Sequence, residues 1–256
     1  SGFFRCYDLC DGTCQYAGVV FTWTKGEAGT GCLLGQAKNK IVWLIITMYY
    51  GEKLNSISHL IGTVLALVGL GALLTISIQT NDVWMITSFS VFGLTLVLLY
   101  AMSTLYHSFR IPRLKVFFNL MDRISIYLLI SGTYTPYMLV SIREGNGWLI
   151  LGIVWSLALI GILSEIFLKG KAINIGQLVI YLGMGWACSF DLSSLKEALP
   201  SVGFNLLIAG GLAYTIGVVF YLLGEANKLA HAHGIWHFFV LIGSGCHFVS
   251  ILGYVR

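Results

Sequence analysis

The sequence predicts an all-α membrane protein, a seven-transmembrane helix bundle, and three observations carry that expectation. The chain is 57% hydrophobic and only 10% charged, with a mean hydropathy of +0.83, far more apolar than a soluble domain. Its apolar residues gather into long runs divided by short polar punctuation. A bilayer core is roughly 30 Å thick and takes about 20 apolar residues per helical crossing, so 256 residues hold seven such spans and little else.

The runs place spans at 57–79, 84–107, 119–141, 147–168, 173–190, 202–223 and 234–254. Hydrocarbon offers backbone groups no water, so each run must pair its own N–H and C=O groups as a helix. A shorter apolar patch, Ile41 to Met48, is too brief to cross and is expected to lie at the interface. Glycines within the spans (Gly69 and Gly71, Gly183 and Gly185, Gly210 and Gly211) fit close helix packing in lipid.

The formal charge of +4 is scattered through loops. That distribution gives no footing for nucleic acid and reads instead as topology. Lys53, Arg110, Arg113, Lys115, Lys169, Lys171 and Lys228 fall on one side of the membrane, against Arg143, Lys196 and Arg256 on the other. The richer side is expected to be cytoplasmic, with the amino end inside and the carboxyl end outside.

Residues 1–47 read separately, as a poorly structured leader of doubtful origin preceding a domain at 48–256; "MYYGEKLNSISHL", from Met48, has the look of a natural start. The leader lacks the basic region, apolar core and cleavage site of a signal peptide. Its cysteines, Cys6, Cys10, Cys14 and Cys32, are spaced more widely than the close pairs of thiolate zinc sites.

Ionisable side chains inside spans are costly, and each is a functional candidate until a structural reason is found. Those here are His59, His107, Asp122, Arg123, Glu165, His233, His237 and His247. Span parity puts the end of the second span and the starts of the third and seventh in one leaflet. His107, Asp122, His233 and His237 are therefore expected to converge although they are far apart in sequence.

His233 and His237 stand at i and i+4, on one helix face. Two imidazoles one turn apart suit a zinc ion, as in H-E-x-x-H helices, but here Gly234, Ile235 and Trp236 intervene and any base must come from another helix. Asp122 fits that role, and His107 supplies a third imidazole, leaving a fourth, open position. The plain alternative is a set of interfacial histidines that snorkel or bond within the bundle. Ser103, one turn before His107, shares its face and either bonds its own backbone or positions water or substrate. Glu52, Asn55 and His59 form a stripe on the same side, as supporting residues or, for Asn55 and Ser56, as helix caps. Arg123 is expected to snorkel, Glu165 to pair with Lys169, His231 to sit in solvent and His247 to bond within the bundle.

"EKLNSISHLIG" (52–62), "STLYH" (103–107) followed by Asp122, "SGTYTPY" (131–137) and "HGIWH" (233–237) together resemble the hemolysin III branch of the progestin and adipoQ receptor family, across residues 48–256. The resemblance implies a seven-helix protein of a bacterial plasma membrane with its amino terminus inside and a zinc (Zn2+) site near the cytoplasmic leaflet. Its implied ligands are His107, His233 and His237, with Ser103 and Asp122 beside the metal. Wider relatives, the adiponectin receptors and alkaline ceramidases, look like zinc-dependent lipid amide hydrolases. The short outer loops do not favour a hormone receptor. The expected function is hydrolysis of a lipid amide or ester in membrane homeostasis, with a membrane lipid as partner. The competing class is a cytolysin, a pore or a membrane-state sensor with a structural zinc. Neither the lipid nor an oligomeric state is selected by the sequence.

Overall fold

The protein is described from a computed structural model covering residues 52–256 and, upstream, a short hairpin at 13–16 and 19–22. The chain divides at Thr47/Met48, and the two parts are taken separately. In the first, β1 (Thr13–Tyr16) pairs antiparallel with β2 (Val19–Thr22), Thr13 opposite Thr22. The expectations for the leader's cysteine side chains and for the interfacial patch at Ile41 to Met48 lie outside the described residues.

The second part is helical throughout its described length. Its elements are α1 (Lys53–Thr80), α2 (Val83–Ser108), α3 (Pro112–Pro136), α4 (Trp148–Phe167), α5 (Lys171–Gly185), the short α6 (Leu192–Ala198), α7 (Ser201–Glu225) and α8 (Ala232–Tyr254). Local chemistry sets the boundaries. Asn81 takes the left-handed conformation that closes α1 (φ 53°), and the Asp82 side chain accepts from Trp84 N–H at 2.8 Å to open α2. Pro112 opens α3, where its missing N–H costs nothing. The capping expected of Asn55 or Ser56 is corrected: α1 already starts at Lys53, two residues earlier, so both lie inside its first turn and Glu52 is the flanking residue.

Two of the predicted spans are broken rather than continuous. The third runs as α3 to Pro136 and then widens into a π-helical turn, Tyr137–Ser141, immediately after a residue with no N–H to give. The fifth leaves α5 at Gly185 and tightens into a 3-10 turn, Ala187–Asp191. A kinked segment, Arg143–Gly147, in which Gly145 leaves helical geometry (φ −104°, ψ −130°), leads into α4. A side chain at Gly147 would put its Cβ 2.4 Å from the Met138 carbonyl, so this re-entry requires glycine.

Among the described residues, six helical segments are long and apolar enough to cross a membrane: Lys53–Thr80, Val83–Ser108, Arg143–Phe167, Lys171–Ala198, Ser201–Glu225 and Ala232–Tyr254. The helix α3 is not among them, because Arg113, Lys115, Asn119, Asp122 and Arg123 occupy its first half. Its second half, from Ser125 to Pro136, is largely buried, and it packs along α2 and α4. In neighbour order, α7 lies on α8, α8 on α1, α1 on α2 and α2 on α3. Leu, Ile and Val dominate the outside (Leu65, Val68, Leu149, Val179), whereas Ser, Thr, His and Tyr are turned inward. That inversion is expected where the solvent is hydrocarbon.

The close-packing expectation for the glycines holds at some positions only. A Cβ on Gly69 would strike the Phe248 ring at 2.8 Å, and one on Gly210 the His247 ring at 2.3 Å. At Gly71, Gly183 and Gly185 an added Cβ would meet nothing within 4 Å, so no close approach requires glycine there.

Candidate metal centre

Four helix ends meet at one level of the bundle. The last turn of α2 carries Ser103 and His107, the first half of α3 carries Asp122, the start of α8 carries His233 and His237, and the start of α1 carries Asn55, Ser58 and His59 behind Glu52. Parity of the spans anticipated this meeting, and the structure brings the three distant histidines together.

One ring nitrogen from each of His107, His233 and His237 lies within 4.8 Å of the other two. The ring centroids form a nearly equal triangle of 5.2, 5.0 and 4.9 Å. An equilateral triangle with a 4.8 Å side has its centre about 2.8 Å from each corner, so modest side-chain rotation reaches a zinc–nitrogen bond of about 2.0–2.1 Å. His107 and His237 are buried and His233 is half-buried.

Hydrogen bonds settle which nitrogen two of the rings present. Glu52 Oε2 lies 3.2 Å from His107 Nδ1, and a carboxylate only accepts, so Nδ1 carries the proton. The His107 Nε2 lone pair is then bare, buried and without a protein partner. In the same way His237 Nδ1 donates to the Asn55 carbonyl at 3.1 Å, freeing its Nε2. Orienting acceptors on the far nitrogen of each ring are what metal-ligating histidines usually have. The donor set and the orphaned Nε2 fit a single metal ion.

Glu52 is itself held. Lys115 Nζ is ion-paired with it and also sits 4.3 Å from the centre of the Tyr106 ring. Burial would push the Glu52 carboxyl up, but hydrogen bonds from His107 and Lys115 outweigh it and hold the group down at about 2. Glu52 therefore stays a carboxylate across the physiological range. On the other flank, the Asp122 carboxyl has His107, Ser103, Arg123 and Lys115 as its interacting neighbours.

The sequence profile described as Haemolysin-III related matches residues 47–248. The chain belongs to the hemolysin III family. It is 39% identical over 211 residues to Hemolysin-3 of Bacillus cereus, covering 82% of this chain and 94% of that protein. It is likewise 39% identical over 203 residues to the Hemolysin-3 homolog of Bacillus subtilis (79% and 93%). At 28% over 215 residues it is similar to the human Monocyte to macrophage differentiation factor (80% and 85%). With six apolar membrane-length helices and bacterial relatives of this kind, the protein is a multi-pass integral protein of a bacterial membrane.

Other candidates in this hemolysin III chain fall elsewhere. Arg123 does not snorkel and Glu165 does not pair with Lys169: Arg123 Nη1 donates to Glu165 Oε2 at 2.9 Å, and Tyr181 donates to the other Glu165 oxygen at 3.3 Å. The correction is physical, since Glu165 is almost fully buried and needs a partner inside the bundle. His231 is exposed and His247 bonds within the bundle, both as expected. His59 is the residue whose importance the sequence understated. It is buried, stacks on His237 at 3.7 Å between centroids and meets Tyr100 edge-on at 5.1 Å. Its place in the Glu52–Asn55–His59 stripe was the available signal.

Proposed function

We propose that this protein is a seven-span membrane hydrolase that holds zinc through His107, His233 and His237 and cleaves a lipid amide or ester. The observation that carries the reading is the convergence of three imidazoles, two with their Nδ1 atoms spent on acceptors, beside the Asp122 and Ser103 pair. Zinc is favoured because an all-imidazole donor set with an open fourth position is its usual catalytic arrangement. Zinc bound there would supply a lowered pKa for water and polarisation of a substrate carbonyl.

The chain's own residues supply the rest. Asp122 Oδ would take a proton from the attacking water and return it to the leaving amine or alcohol. Ser103 orients the Asp122 carboxyl from α2. Glu52 and the Asn55 carbonyl fix the rings of His107 and His237. In this reading α3 is the seventh crossing helix, its polar first half tolerated because it faces the site and not lipid. The surplus of Lys and Arg at 53, 110, 113, 115, 169, 171 and 228 supports a site at the cytoplasmic leaflet, with the amino end inside. A lipid substrate reaches it from the bilayer.

The test is turnover of a ceramide-like amide and a phospholipid ester panel in proteoliposomes, by mass spectrometry. Asp122→Asn should keep its zinc and lose turnover by about 10²–10⁴-fold; full turnover in that variant overturns the assignment. The name of the Bacillus cereus relative, Hemolysin-3, favours a second reading, membrane lysis. Dye leakage from liposomes separates the two, because lysis has no need of the Asp122 carboxylate.

A further inference from the structure

The half of the bundle away from the histidine triad contains a second polar locus. A cavity of about 30 Å3 lies among α3 and the turn after it, the end of α5, α7 and α8, and both Tyr137 and His247 line it. His247 is ten residues beyond His237, about 15 Å along α8, so this locus is separate from the proposed metal.

Its polar groups can be accounted for one by one. Thr133 Oγ1 donates to the Leu129 carbonyl at 2.7 Å. The Tyr134 hydroxyl donates to the Gly185 carbonyl at 2.9 Å and accepts from Cys188 N–H at 2.8 Å. Trp186 Nε1 donates to Thr215 at 3.0 Å. Two groups are left over. His247 Nε2 lies 3.1 Å from the Leu207 carbonyl and must donate to it, so Nδ1 is a bare acceptor, buried and without a protein partner. The Tyr137 hydroxyl, on a residue 2% exposed, likewise has no partner in hydrogen-bond geometry; its polar neighbour, the Ser250 hydroxyl, already donates to the Gly203 carbonyl at 2.8 Å. The His247 ring cannot swing far to find another, since its edge lies where a Cβ on Gly210 would be.

We infer that this cavity is a binding site for water, holding one or two molecules that donate to His247 Nδ1 and accept from the Tyr137 hydroxyl. The chemistry asked for is a hydroxyl with both a donor and an acceptor face. Size selects water over a lipid hydroxyl, because one water takes about 10–15 Å3 of such volume and the cavity offers about 30 Å3. The donor set does not suit a metal, with one free imidazole nitrogen, the lone Cys188 thiol and no carboxylate among the lining residues. The bound water ties α8 to the end of α3, fixing the helix that carries His233 and His237 at a second level. The tie is independent of whether the triad holds zinc.

The experiment is a high-resolution map of the full chain in nanodiscs, with and without xenon pressure. Discrete density within hydrogen-bond distance of both His247 Nδ1 and Tyr137 Oη, with no xenon in the cavity, is the expected result. Xenon occupancy marks a dry apolar void and overturns the proposal, as does continuous density of a lipid tail. As a second measurement, Tyr137→Phe should lower the thermal midpoint by about 2–4 °C in the wild-type background and not in His247→Leu. Equal shifts in both backgrounds contradict a shared water.

Discussion

His59 lies flat against His237, ring centroids 3.7 Å apart and planes 13° from parallel, with Tyr100 closing its other edge. One face of His237 is thereby fixed by a fourth imidazole, which takes no part in the triad. The consequence is testable. His59→Phe keeps a flat ring in the stack and should leave zinc affinity within a few-fold of wild type. His59→Ala should weaken it about 10–100-fold, the range for residues that orient a ligand. Competition with a chromophoric chelator measures both, and unchanged affinity in His59→Ala removes His59 from the account.

Glu52 acts on the neighbouring ligand. Its carboxylate accepts from His107 Nδ1 at 3.2 Å while pairing with Lys115. Removing it in Glu52→Ala leaves His107 free to rotate and to adopt the other tautomer. We expect a loss of zinc affinity of about 10–100-fold by the same orienting argument, with the fold retained by circular dichroism. A variant that binds zinc as tightly as wild type would show that the carboxylate serves only the Lys115 ion pair.

Arg123 and Glu165 form an ion pair in which the Glu165 side chain is almost fully buried and that of Arg123 is partly exposed. Removing one partner strands a charge, while removing both does not. Arg123→Leu should therefore destabilise the bundle by about 3 kcal/mol, and the Arg123→Leu/Glu165→Leu double variant should be more stable than that single one. Additive losses in thermal unfolding in detergent would argue against the pairing.

The glycines give a contrast within one class of residue. Gly210→Ala drives a Cβ into the His247 ring, for an expected cost of about 1–3 kcal/mol from overpacking. Gly71→Ala meets nothing within 4 Å and should be neutral or slightly stabilising through helix propensity. Thermal midpoints of the two variants should differ clearly; equal values would contradict the packing at Gly210.

The helices were legible because lipid imposes one rule on every run: 57–79, 84–107 and 234–254 became Lys53–Thr80, Val83–Ser108 and Ala232–Tyr254. The breaks after Pro136 and Gly185 were not, since hydropathy is blind to a change in helical pitch. The meeting of His107, Asp122, His233 and His237 followed from span parity, a matter of depth alone. Partner choice was harder. Glu165 has Lys169 four residues away in sequence, yet its partner Arg123 is on another helix, and nothing in a linear pattern ranks a lateral neighbour over a local one. His59 was missed as a stacking residue for the same reason: lateral contacts depend on the rotation of each helix, which the spans leave open.

The most direct test is metal analysis of the purified full chain beside a His107→Ala/His233→Ala/His237→Ala variant. The account predicts close to one zinc per wild-type chain and none in the triple variant, with both proteins folded. Zinc retained by the triple variant, or a wild-type protein that binds no metal when zinc is supplied, would contradict it.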